Sequence, residues 1–162
     1  MQRILVIGPP GAGKSCFSRA LSELTGLPLY HIDNLYWNER GESISREELL
    51  LLLDPILKSE RWIIDGNYSA TFAHRVGYAT TVILLDIDPD ACEEGIRERT
   101  GKPRSDIPFI ESEIPLDLIT VTRRFRPYTL PKMLKELENH PRVKLIRFNT
   151  REDANNYLHS LE

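Results

Sequence analysis

An apolar run, Ile4-Leu5-Val6-Ile7, passes directly into Gly8-Pro9-Pro10-Gly11-Ala12-Gly13-Lys14-Ser15, and Phe17, Leu21 and Leu24 follow at helical spacing. The octet has the form G-x-x-x-x-G-K-[ST], and a strand before it with a helix after it is the context that gives the pattern meaning. This feature restricts the fold and the ligand together. A glycine-rich turn can aim successive backbone N–H groups into one concavity. A helix opening near Lys14 adds its unpaired N–H groups and its dipole. Lys14 supplies a point charge for β- and γ-phosphate oxygens. Ser15 supplies a hard oxygen of the kind Mg²⁺ prefers. Residues 8–15 therefore predict a nucleotide triphosphate site. Cys16 borders it and reads as a small buried helix residue rather than a reactive thiol.

Beyond this loop, apolar runs and helix signals alternate. Strands are expected at about 3–7, 28–32, 61–65, 81–86 and 143–148. Helices are expected at about 14–24, from 45 onward, at 88–100, 116–125 and 131–139, and from 150 to the end. Ser45-Arg46-Glu47-Glu48 is a capping-box sequence. Asp88-Pro89 pairs a cap residue with a first-turn proline. Pro55 either kinks its helix or begins a new turn. Residues 101–115, with three prolines, read as a loop. The alternation predicts one doubly wound α/β domain, with helices on both faces of a five-stranded parallel sheet.

Such sheets bind ligands beyond the carboxyl ends of their strands. That rule gathers Gly8, Asp33, Asp65, Asp86, Asp88 and Asn149 on one rim. Asp65 is the preferred outer-shell acid for Mg²⁺, because Gly66 permits a tight turn and Asn67 and Tyr68 add polar groups there. Asp86 reads as structural. Asp33 is placed to accept the proton of an acceptor hydroxyl. Tyr36 or Trp37 could cover a planar or sugar-like face, with packing beneath the loop as the alternative. Arg97, Arg99, Lys102 and Arg104 form one basic stretch, and Arg123, Arg124 and Arg126 another. Arginine forks match the oxygens of a phosphoryl group in transfer. Arg97 and Arg123 are the catalytic candidates among them. The four histidines show no metal spacing and read as structural.

The 162 residues suffice for one domain with a substantial core. A net charge of −3 carries no global basic signature for nucleic acid. No apolar run approaches the roughly 18 residues of a membrane span. Cys16 and Cys92 form no disulfide framework, so a reducing, cytoplasmic setting is expected. Oligomeric state is left open.

The phosphate loop, the His31-x-Asp33-x-Leu35-x-Trp37 segment, residues 62–68 (Trp-Ile-Ile-Asp-Gly-Asn-Tyr) and the arginine-bearing helices together resemble the adenylate-kinase-related family. Within it, the chain is most similar to the small bacterial topology modulation (FlaR-like) proteins. That resemblance implies a P-loop domain with strand order 2-3-1-4-5, ATP as donor, Mg²⁺, and a short lid near 100–116. It places Gly8 to Ser15 on the phosphates and Asp65 at the strand-3 acid position. Arg99 falls near the lid, and Asn149 to Arg151 beside the adenine. Gly66, Asn67 and Tyr68 join Asp33 and Trp37 around the acceptor. Two departures separate the chain from adenylate kinases themselves. Asn67-Tyr68-Ser69 replaces their Phe-Pro-Arg, and only about 28 residues lie between Asp33 and Trp62. The acceptor region is thus closer to that of shikimate-kinase-like enzymes. The expected activity is transfer of the ATP γ-phosphate to a small molecule or nucleotide. The alternative is an ATP-hydrolysing regulator acting on DNA topology or another macromolecule, although no nucleic-acid motif is present.

Overall fold

The computed structural model describes residues 1–162. Five strands, β1 (Arg3–Ile7), β2 (Leu29–His31), β3 (Trp62–Asp65), β4 (Thr81–Leu85) and β5 (Lys144–Phe148), form one all-parallel sheet in the order β2-β3-β1-β4-β5. This is the expected order.

Side chains of a strand alternate between faces, and the core divides accordingly. Leu5, Ile7, Trp62, Ile64, Val82 and Leu84 face one side, where α3 (Arg46–Lys58), α4 (Ser69–Val76) and α7 (Leu130–Glu138) contribute Leu49, Leu53, Leu57, Phe72, Val76 and Met133. Ile4, Val6, Ile63, Ile83 and Leu85 face the other, against α1 (Lys14–Thr25), α5 (Pro89–Arg99) and α8 (Arg151–His159). The result is a three-layer α/β/α sandwich. Burying each of these aliphatic side chains contributes about 1.5–3 kcal/mol. The sheet's β5 edge carries exposed Lys144 and Arg147, charges that discourage pairing with another chain.

Local signals account for three helix starts. The Ser45 hydroxyl accepts from the Glu48 amide at 3.1 Å, and the Glu48 carboxylate accepts from the Ser45 amide at 2.8 Å. Asp88 and Thr150 cap α5 and α8. The prolines behave differently from their usual effect. α3 runs through Pro55. α6 (Leu116–Arg124) continues through a π-turn, Phe125–Thr129, into α7 without a break. Pro127 lies within the π-turn and Pro131 just after it, so the widened ladder stands where two residues have no amide to donate. Leu24, expected on the buried face of α1, is exposed.

Two elements escape the alternation argument. α2 (Ile32–Tyr36) follows β2 immediately, so Asp33 sits in the first turn of a short helix rather than at a strand end. α4 occupies 69–76 and brings in Arg75, whose guanidinium is fully buried. Arg75 has no carboxylate partner. Its Nη1 donates to the Gly66 carbonyl at 3.1 Å, its Nη2 to the carbonyls of Asn67 and Tyr68, and its Nε to the Thr71 hydroxyl at 3.1 Å. Burial lowers its pKa to about 9, so it remains charged at neutral pH. It fixes the turn after β3 by holding three consecutive carbonyls. Replacing Arg75 with Met strands those acceptors, each at about 1–3 kcal/mol. Relief of a desolvated charge offsets part of this, and the expected net loss is about 2–4 kcal/mol. Urea unfolding checks it, and a loss below about 0.5 kcal/mol would contradict the clamp.

Candidate active site

The phosphate loop leaves β1 and passes close to β4 and α5. A Cβ at Gly11, where φ is +78°, would lie 2.0 Å from the Cys92 carbonyl oxygen, so no larger residue fits that turn. Arg151 of α8 donates to the Gly11 carbonyl at 2.7 Å and to the Ala91 carbonyl at 3.1 Å. From the other side, the Asn67 amide grips Gly8 at both backbone atoms. Its Nδ2 donates to the Gly8 oxygen at 2.6 Å, and its Oδ1 accepts from the Gly8 nitrogen at 3.0 Å. The Lys14 ammonium is folded over the loop and donates to the carbonyls of Gly8 (2.9 Å) and Pro9 (3.0 Å). Burial pushes its pKa down, opposed by Asp65.

This loop forms one wall of a cavity of about 750 Å³. Residues 10–16 line it, together with Asp33, Asp65 and Gly66 beyond the ends of β2 and β3. Arg99 at the end of α5, then Arg104, Ser105 and Asp106 from the 100–115 connection, complete that end. Arg151, Ala154, Asn155 and Leu158 of α8 close the other.

The carboxylates differ in their partners. His31 and Asp65 are paired in the β2–β3 register, and His31 Nδ1 lies 2.8 Å from Asp65 Oδ2. Asp33 Oδ1 accepts from the Tyr68 hydroxyl at 3.1 Å. Burial pushes the Asp33 carboxyl above its ordinary pKa, opposed by the Tyr68 hydroxyl and the Lys14 charge. Tyr68 has the chain's one positive φ outside glycine, 29°. Such a conformation persists only where its surroundings hold it. Here the Arg75 clamp and a ring contact with Tyr36 at 4.6 Å do so. Burial on Asp106 would raise its pKa, but Arg104 and the Ser15 hydroxyl hold it below the usual carboxylate range. The Ser15 hydroxyl donates to Asp106 Oδ2 at 2.9 Å.

The structure brings Pro10 to Cys16, Asp33, Asp65, Gly66, Arg99 and Arg151 onto one cavity. Gly8 and Pro9 lie behind it, their carbonyls on Lys14. Cys16 is exposed on the cavity side, not buried as expected, because α1 turns Phe17, Ser18 and Leu21 inward instead. Several candidates are elsewhere. Arg123 bridges Asp90 (2.7 Å) and Glu93, while Arg97 donates to Glu93 at 3.2 Å. Both arginines are about half exposed in this surface network between α5 and α6, away from the cavity. Asn67 has both amide atoms engaged on the loop, so it holds Gly8 rather than facing an acceptor. Tyr68 reaches the site only through Asp33. Trp37 packs edge-on against Tyr36 (4.9 Å) and Phe109 (6.0 Å) outside the cavity wall, the packing alternative. Asn149 is exposed and off the wall; the α8 residues stand there instead. Asp86 is structural as expected, bound by Arg126 at 2.7 Å and Arg147 at 2.6 Å.

Sequence reasoning missed Asp106, Ser105 and Asn155. Nothing local marks Asp106 in a loop of mixed charge, and only chain folding carries it to Ser15. Arg99 Nε and Arg104 Nη1 are buried without hydrogen-bond partners. Buried donors of this kind need an acceptor, and both residues line the cavity.

Sheet order and phosphate loop define the fold class, a P-loop α/β/α domain, and similarity to a shikimate kinase supports an ATP-dependent kinase. The shikimate kinase of Dehalococcoides mccartyi (strain ATCC BAA-2100) is 28% identical over 160 residues, covering 84% of this chain and 91% of that protein. The crystal structure of shikimate kinase from Bacteroides thetaiotaomicron superposes with a TM-score of 0.59 over 99% of this chain and 95% of its own, at 17% identity, and shares the fold. No family model matches the chain. No helix is long and apolar enough to cross a membrane.

Proposed function

We propose that the cavity binds magnesium ATP on residues 8–15 and transfers its γ-phosphoryl group to a hydroxyl of a small acceptor held at Asp33. The observation that carries this reading is the shared cavity. Lys14, Asp33, Asp65 and the two arginines with unsatisfied donors line one space. The oxygen donors on its wall, Ser15, Asp33, Asp65 and Asp106, suit a hard cation. No three metal-binding side chains converge into a protein cage. Magnesium at a phosphate loop needs none, because phosphates and water supply most of its ligands.

Ser15, with Asp65 in the outer position, would hold Mg²⁺, whose chemistry there is neutralisation of charge on the β- and γ-oxygens. Tyr68 occupies Oδ1 of Asp33, which leaves Oδ2 to take the acceptor's proton. The acceptor oxygen then forms a bond to the γ-phosphorus as the bond from that phosphorus to the β–γ bridging oxygen breaks. Lys14 exchanges the Gly8 and Pro9 carbonyls for phosphate oxygens. Arg99 and Arg104 turn their free donors to the transferred group. The 100–115 connection acts as the lid that excludes water. The segments that resemble topology modulation proteins, 31–37 and 62–68, supply the acceptor side of this arrangement.

The test is phosphorylated product from purified protein with MgATP across a panel of hydroxylated metabolites, headed by shikimate because the 28% identical relative bears that name. One or more acceptors are expected to turn over. Failure of every acceptor, together with no MgATP binding by calorimetry, would overturn the reading.

A further inference from the structure

Asp65, the expected outer-shell acid for Mg²⁺, is engaged by His31, and the carboxylate on Ser15 comes from the 100–115 connection. Asp106 is 6% exposed. Its Oδ2 accepts the Ser15 proton at 2.9 Å, and its Oδ1 lies 3.5 Å from Arg104. The neighbouring residue is docked as well. Ser105 accepts from Asn34 of α2 at its carbonyl (2.7 Å) and from Arg19 of α1 at its hydroxyl (2.9 Å). Farther on, Phe109 meets Trp37. The connection therefore touches the phosphate-loop helix and the acceptor helix at once, with Asp106 at the centre of that contact.

A serine hydroxyl has one proton and two lone pairs. When Asp106 takes the proton, the lone pairs are free to face a cation. Removing Asp106 frees the hydroxyl to rotate and subtracts a negative charge from the cavity. A magnesium-bearing nucleotide then loses an alignment and an attraction, whereas a metal-free nucleotide loses only a repulsion. We propose that Asp106 is a positioning residue: docking of the connection aligns the Ser15 hydroxyl through Asp106, and magnesium–nucleotide uptake depends on that contact. This inference rests on the kinase reading above and adds its regulation, since the loop's metal ligand is completed only when the 100–115 segment is seated.

The experiment is calorimetric titration of a nonhydrolysable ATP analogue with and without Mg²⁺, on the full chain and on Asp106→Ala, Ser15→Ala and the double variant. The readout is the ratio of the two affinities, which a merely structural change does not move. In the unsubstituted protein Mg²⁺ tightens binding. In Asp106→Ala that gain shrinks by about tenfold, the scale of one lost charge-assisted hydrogen bond, while metal-free binding does not weaken. If Asp106 acts through Ser15, the double variant loses less than the product of the two single losses. A gain that is unchanged or larger in Asp106→Ala overturns the proposal, as do losses that multiply in the double variant. Absence of magnesium-dependent uptake in the unsubstituted protein would instead remove the kinase reading, and this inference with it.

Discussion

Replacing Lys14 by Ala is expected to lower single-turnover phosphoryl transfer by about 10²–10³-fold, the range observed when one donor to developing charge is removed. Two effects combine. The ammonium is the point charge nearest the loop, directed by two carbonyls of the loop itself. It also sits in the field of Asp65 and Asp33, so its removal leaves the negative charge on that wall of the cavity uncompensated. Arg is not an equivalent replacement, because its planar fork cannot occupy the space of a compact ammonium. The fold is expected to persist, since the loop stays anchored by Asn67 and Arg151. Transfer within threefold of the unsubstituted rate would mean that phosphates are not held at residues 8–15.

The second large effect concerns Asp33. Asp33→Asn is expected to reduce transfer by about 10²–10⁴-fold, because the amide cannot take a proton from the acceptor. The same change is expected to raise thermal stability at neutral pH. The sign follows from the direction of the shift. Burial places the folded-state pKa of Asp33 above its unfolded value. The folded protein therefore binds that proton more tightly. The associated stability is fully present below the unfolded pKa and is lost as pH rises through the folded one. At pH 7 the ionised carboxylate opposes folding, and an uncharged isostere relieves it. The melting-temperature advantage of Asp33→Asn should shrink as pH is lowered toward the ordinary aspartate range. Transfer by the unsubstituted protein should decline on acidification with a midpoint above 3.8. Equal activity of the Asn variant would remove Asp33 from the chemistry, and a lower melting temperature at pH 7 would contradict the burial argument.

The two variants separate binding from chemistry. Lys14→Ala is expected to weaken nucleotide binding and slow transfer. Asp33→Asn is expected to leave nucleotide affinity nearly unchanged, because Asp33 faces the acceptor. A kinase assay alone cannot tell these apart, but the calorimetric affinities can.

Legibility followed the range of the interaction. The strands, the loop and most helices were readable because their determinants are local: alternating burial, Ser45 with Glu48, Asp88 with Pro89, and the octet itself. α4 was missed because it is eight residues long and its polar start, Ser69, follows residues read as ligand contacts. Candidates in the loop and at 33, 65 and 66 converge because parallel strands end on one rim. Arg97 and Arg123 were chosen for guanidinium chemistry and for the family resemblance, and neither says which way a helix faces. Acidic neighbours on α5 hold both of them at the surface.

What the amino-acid order determined by itself was the ligand class and the scaffold. An anion cradle made of backbone amides depends on which residues can adopt the turn, and that is written over eight consecutive positions. Tertiary structure alone decided which side chains surround the cradle. Asn67 turned back to grip Gly8, Arg75 buried itself beneath three carbonyls, and Asp106 crossed 91 positions of sequence to reach Ser15. The physical reason is that a carboxylate or guanidinium acquires its role from the partners and burial it meets. Those are contributed by elements far apart along the chain.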